Sequence, residues 1–163
     1  MLKSFFTAIT LSFLALSQAW AADLSHDLLQ ATREGRIDDV RALLADGADP
    51  AAKNSSGRTA LMTAAYFGNR RIVNLLLAEG VDVNAQDANQ VTALMDAAYN
   101  GNVELAKALV ARGADIKYTT KQGNSALTVA TARANVPMVK YLESLSEGGG
   151  GSKNKKKKGS KKK

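Results

Sequence analysis

The sequence predicts an all-α fold, a solenoid of about four helix-turn-helix units joined by hairpin-like turns. Three observations predict it. The chain repeats itself every 33 residues, its apolar residues recur at helical spacing, and alanine and leucine carry the apolar content while aromatic residues make up only 6% of 163 residues. That balance suits thin helices packed closely, with no large aromatic core.

The repeat is read from the residues themselves. Thr59-Ala-Leu-Met-Thr-Ala-Ala-Tyr-Phe-Gly-Asn69 returns as Thr92-Ala-Leu-Met-Asp-Ala-Ala-Tyr-Asn-Gly-Asn102, and again, degraded, as Ser125-Ala-Leu-Thr-Val-Ala-Thr-Ala-Arg-Ala-Asn135. One period earlier stands His26-Asp-Leu-Leu-Gln-Ala-Thr-Arg-Glu-Gly-Arg36. The units therefore run over about 26–58, 59–91, 92–124 and 125–146. Thr59, Thr92 and Ser125 are N-caps, whose hydroxyls satisfy free backbone donors at a helix start. The first helix of each unit is short, and Ala64, Ala65, Ala97 and Ala98 let neighbouring helices approach. Gly68 and Gly101 end it where a positive φ is needed. The second helix carries Ile72, Val73, Leu76 and Leu77 in one unit and Leu105, Ala106, Leu109 and Val110 in the next. Gly80 and Gly113 close it, and polar turns follow.

Two flanking segments differ in kind. Residues 1–21 read as a secretory signal peptide: Lys3 supplies the positive start, Phe5 to Leu16 the short apolar run, and Ala19-Trp20-Ala21 the small-x-small cleavage pattern. The apolar run is short of the roughly 20 residues that a membrane-spanning helix needs, so no transmembrane segment is expected in the mature chain. Residues 148–163 form a tail. Four glycines and a serine make a flexible linker, and Lys153, Lys155, Lys156, Lys157, Lys158, Lys161, Lys162 and Lys163 follow, a composition that forms no core. The net charge of +7 resides there; without those lysines the rest of the chain is close to neutral. The tail suits an anionic envelope surface. With no aromatic residues between the lysines, it lacks the stacking partners that specific nucleic-acid binding uses.

Nothing in the residue inventory points to catalysis, a cofactor or a metal. Cysteine is absent, and the one histidine, His26, is expected at the surface near the first helix start. Asp82-Val-Asn-Ala-Gln-Asp87 imitates the start of a calcium loop, but Asp87 replaces the glycine and Ala93 the bidentate glutamate that such a loop requires. Gly148 to Gly151 follow no strand and open no helix, so they are not a phosphate loop. Asp96 is a lone carboxylate with no base or nucleophile near it in sequence.

With Thr-x-Leu-x-x-Ala-Ala-x-x-Gly, then Val-x-x-Leu-Leu, then Gly-Ala-Asp at one period, the units resemble ankyrin repeats over about residues 24–146, and the signal peptide adds a resemblance to exported, periplasmic bacterial proteins of that family. The departures are Ala60, Ala93 and Ala126 for the usual proline, and Met62, Met95 and Thr128 for the usual histidine. Gln90 stands where Gly57 and Gly123 stand, which is expected to alter one turn. The last unit has Ala134 for glycine, Pro137 early in its second helix and Glu143 at an apolar position, the marks of a C-terminal cap.

The resemblance implies a protein partner held in a concave groove lined by turn tips and first helices. Carried over by position, that surface comprises Arg33, Glu34, Ser55, Ser56, Arg58, Tyr66 and Phe67, then Ala88, Asn89, Val91, Asp96, Tyr99 and Asn100, then Lys121, Gln122, Asn124 and Arg133. Tyr66, Phe67 and Tyr99 lead, because aromatic residues dominate binding energy at interfaces; the alternative for these three is packing between neighbouring units. The expected function is a non-catalytic protein-interaction module in the periplasm or outside the cell. The alternatives are an envelope scaffold targeted by its lysine tail and an exported effector that binds a host protein.

The cleavage pattern gives a direct test. N-terminal sequencing of the protein from a periplasmic fraction should start at Ala22; protein that retains residues 1–21 in the cytoplasm would contradict export.

Overall fold

A computed structural model describes residues 24–148, so the segment read as a signal peptide and the tail from 149 onwards lie outside the described residues. Among the described residues eight helices follow one another: α1 over 24–34, α2 Ile37–Ala45, α3 Ala60–Tyr66, α4 Arg70–Ala78, α5 Ala93–Asn100, α6 Val103–Ala111, α7 Ala126–Ala132 and α8 Val136–Gly148. They pair as four helix-turn-helix units. Among the described residues there is no strand, only single bridges between Lys53 and Thr59 and between Thr119 and Ser125 at the bases of turns. The expected fold class is the observed one.

The helices start where the hydroxyl caps stand. Thr59 accepts from the Met62 amide at 3.2 Å, Thr92 from Met95 at 3.4 Å and Ser125 from Thr128 at 3.3 Å. The first unit differs: His26, in register with those caps, lies exposed inside α1, which is already helical at residue 24. Each second helix after α2 follows an asparagine. Asn102 and Asn135 cap α6 and α8 by accepting from Leu105 and Met138, while Asn69 sends its amide back to the Thr32 carbonyl at 3.3 Å. These asparagines lean on the glycine one unit earlier. A methyl group on Gly101 (φ 70°) would lie 1.6 Å from Asn135 Nδ2, so a side chain there would displace Asn135 and would also meet a left-handed backbone.

The core is one continuous cluster threaded through the units. α3 packs on α5 and α5 on α7, with Ala64, Ala65, Ala97, Ala98 and Ala130 fully buried at these contacts. The second helices close the layer with Ile72, Val73, Leu76, Leu105, Ala106 and Leu109. Of the three residues that stand in place of the usual histidine, Met62 and Met95 are buried in the core and Thr128 is exposed. At the far end Leu127 is only half-buried, whereas Leu61 and Leu94 in the same register are covered. It opens into a recess of about 720 Å³ with Leu142 and Leu145 on its wall. The exposed Glu143 and Lys140 make the outside of α8 polar, but the cap retains this apolar recess.

The turns stack as well. The Ala88 amide donates to the Ser56 carbonyl and the Lys121 amide to the Asn89 carbonyl, both at 3.0 Å, joining successive tips. Asn84 donates to the Gly113 carbonyl at 3.0 Å and accepts from the Asp115 amide at 2.9 Å. Gln90 does not alter its turn. It adopts φ 64° beside the 76° of Gly57 and 81° of Gly123, because the tip bonds on either side hold the backbone in the shape of its neighbours.

A glutamine in the left-handed region costs about 1 kcal/mol or more relative to glycine. Gln90→Gly should therefore raise stability by about 0.5–1 kcal/mol, net of the larger unfolded-state entropy of glycine. Gly123→Gln, where an added Cβ meets open space, should lower it by a similar amount. Urea unfolding of both variants checks the pair, and equal stabilities throughout would show that the turn is not held at that φ.

Candidate functional site

The C-terminal ends of the first helices place two residues per unit on one side of the stack. Arg33, Tyr66, Tyr99 and Ala132 share one register, and Glu34, Phe67, Asn100 and Arg133 share the next. All eight are exposed, and the aromatic members keep large surfaces in solvent: Tyr66 is 41% exposed, Phe67 49% and Tyr99 40%. They nevertheless touch. The Tyr66 and Tyr99 rings stack across the unit boundary at 5.9 Å with 22° between planes, and Phe67 meets Tyr66 edge-on at 5.3 Å. The rings therefore pack on one another and still keep solvent-exposed surface.

Guanidinium groups bracket the rings. Arg133 lies 4.2 Å above the Tyr99 ring and Arg58 lies 5.8 Å from that of Tyr66, within the range of cation–π attraction. Arg33, Asn54, Arg58, Thr63, Tyr66 and Phe67 enclose a shallow recess of about 350 Å³. Asn100 donates to the Tyr66 carbonyl, which ties the end of α5 to that of α3.

Beside the rings lies an ion-pair network that joins the end of the first unit to the second and third. Arg58 Nη2 bonds Asp96 Oδ2 at 2.6 Å and Arg58 Nη1 meets Asp87 Oδ2 at 3.3 Å. Asp87 Oδ1 accepts from the Asn89 and Val91 amides at 2.8 and 3.0 Å, so Asp87 organises its turn with one oxygen and holds Arg58 with the other. Asp96 is 6% exposed. Burial pushes its carboxyl up to about 6, against the attraction of Arg58 and with the repulsion of Asp87 adding to the rise.

Two of the residues carried over by position are corrected here. Asp96 is not a surface contact: its side chain is buried under Arg58. Val91 packs half-buried against the core, because its place at the end of the turn points it inward. Arg58 is only partly exposed and is held by two carboxylates. Arg33, Ser55, Ser56, Ala88, Asn89, Lys121, Gln122, Asn124 and Arg133 are exposed; Glu34 is exposed but paired with Arg36 at 2.7 Å. The eight lysines of the tail lie outside the described residues. Sequence reading missed the Arg58–Asp96 pair. Its signal was present: Arg58 replaces the Val91 and Asn124 of its register, and Asp96 replaces Thr63 and Val129 of its own. The two charge departures are 38 residues apart, and the stacking of the units brings them together.

The chain matches the profile of ankyrin repeats (3 copies) over residues 28–120 and 72–157, which together span most of its length. The chain belongs to the ankyrin-repeat family. No curated protein matches it in sequence. Ankyrin repeats are generally modules for protein–protein interaction, and the family is typically non-catalytic. Among the described residues no three potential metal ligands gather, and no helix is long and apolar enough to cross a membrane.

The buried carboxylate gives the ankyrin stack a pH signature. Asp96 holds its proton to about 6 when folded and to about 3.8 when unfolded. The folded state therefore binds more protons between those values. The stabilisation this brings is full below 3.8 and is lost as pH rises through 6. Asp96→Asn removes the titration and retains an acceptor for Arg58. From pH 4 to pH 7 the wild type should lose about 1–3 kcal/mol more stability than the variant. The hydrogen bond to Lys107, which lowers the Glu104 carboxyl, is common to both and cancels. Parallel pH profiles from thermal melts would contradict the assignment.

Proposed function

We propose that this ankyrin stack is an exported adaptor, working in the periplasm or outside the cell, that holds a partner protein in the concave groove on the first-helix side. The observation that carries the reading is the Tyr66–Tyr99 pair. Two large rings are left 40% or more in solvent, on the face where the family takes partners, with their positions fixed by stacking. Rigid aromatic surface loses little entropy on binding and is typical of residues that dominate interface energies. The export half of the reading rests on residues 1–21, and the domain division into 1–21, 22–147 and 148–163 goes with it.

A second reading is favoured by the lysine cluster at 153–163. There the repeats are a scaffold that the tail brings to an anionic envelope surface. An effector role toward a host protein is less well supported, because a Sec-type signal suits delivery to the envelope better than delivery into a host cell.

The two readings separate by mutation. Tyr66→Ala with Tyr99→Ala should weaken partner capture by about thirtyfold per site, the scale of about 2 kcal/mol hot spots, while the far-UV spectrum stays helical. Removing residues 153–163 should leave that capture intact. Capture that survives the aromatic double variant but disappears with the tail, or with salt well above physiological strength, would overturn the groove reading in favour of the tail.

A further inference from the structure

The first-helix face carries guanidinium groups at both ends and rings between them. Arg33 belongs to the first unit and Arg133 to the fourth, and neither forms an ion pair among the described residues. The nearby acidic groups are already engaged. Asp87 and Asp96 are turned onto Arg58, and Glu34 is held by Arg36 and by the Gln30 amide. The carboxylates of this face are thus matched internally while its terminal arginines are not. Arg133 is also held in place over Tyr99 at 4.2 Å, so its charge is presented at a defined position and is not swept through solvent.

Resting on the groove reading above, we propose that the partner segment is an extended, acidic stretch of protein, with carboxylates near its two ends facing Arg33 and Arg133 and apolar or aromatic side chains between them on Tyr66, Phe67 and Tyr99. Charge complementarity selects the carboxylates, because planar guanidinium groups bind them with two parallel hydrogen bonds. The spacing sets the length. From α1 to α7 there are three helix-to-helix steps of about 8–10 Å, so roughly 25–30 Å separates the end registers, a distance covered by about eight or nine extended residues. The recess lined by Arg33, Tyr66 and Phe67 receives one of the end carboxylates on Arg33, since Arg58 on its wall is already held by Asp87 and Asp96.

A display library of random twelve-residue peptides, selected on the full chain in about physiological salt, tests this. Selected peptides should be enriched in Asp and Glu on both sides of an apolar middle. Arg33→Gln and Arg133→Gln should each weaken them about five- to tenfold, whereas Arg41→Gln, on α2 and paired with Asp38, should not. The lysine cluster is common to all variants, so its attraction for acidic peptides cancels. Acidic peptides indifferent to both groove arginines would overturn the proposal and point to the tail. Neutral or basic peptides that still depend on Tyr66 and Tyr99 would overturn it while leaving the groove reading standing. Peptides that depend on neither the rings nor the arginines would end both.

Discussion

No unit of this chain can bury its own apolar face, and everything else follows from that constraint. A seven-residue helix such as α3 is far below the length at which a helix is stable alone. It exists because α5 packs on it, and α5 because α7 packs on it in turn. Alanine at 64, 65, 97, 98 and 130 sets how closely these helices approach. The backbone bonds between turn tips and the asparagine–glycine contacts then require the same spacing at the other end of each unit. Stability is in this sense a nearest-neighbour property, divided among the boundaries between units.

The same spacing shapes the surface. Side chains one period apart are stacked by the fold, so Tyr66 and Tyr99 meet face to face without being buried. A ring held by its neighbour has already lost its rotamer freedom, which lowers what a partner must offset on binding. Arg58 links the layers. It crosses the boundary to Asp87 and Asp96 and lies beside Tyr66. A buried pair of this kind is a weak source of net stability and a strong penalty when one partner is removed. It ties the end of the first unit to the second and third, next to the aromatic pair.

Legibility in the sequence followed the distance over which each feature is decided. The caps Thr59, Thr92 and Ser125, the closing glycines and the apolar rows are local or periodic, and all stand where the residues placed them. Gln90 misled because a side chain type argues for a local preference, whereas the tip bonds to Ser56 and from Lys121 impose the turn on it from outside. Asp96 misled for the related reason that its partner is 38 residues away. As a lone carboxylate on a short helix it looks solvated. Only the stacking of one unit on the next shows that Arg58 closes over it. Exposure and packing between units were both legible as alternatives for Tyr66, Phe67 and Tyr99, but that the two would hold together was not, since ring orientation is decided by the unit spacing.

The central claim is that partners meet this stack on the first-helix face. Site-specific photocrosslinking in cells tests it most directly. A benzophenone side chain at position 67 should form a covalent adduct with the partner, and the same group at position 74, exposed on α4, should form none. Adducts at 74 with none at 67 would place the working surface on the second helices and contradict the account.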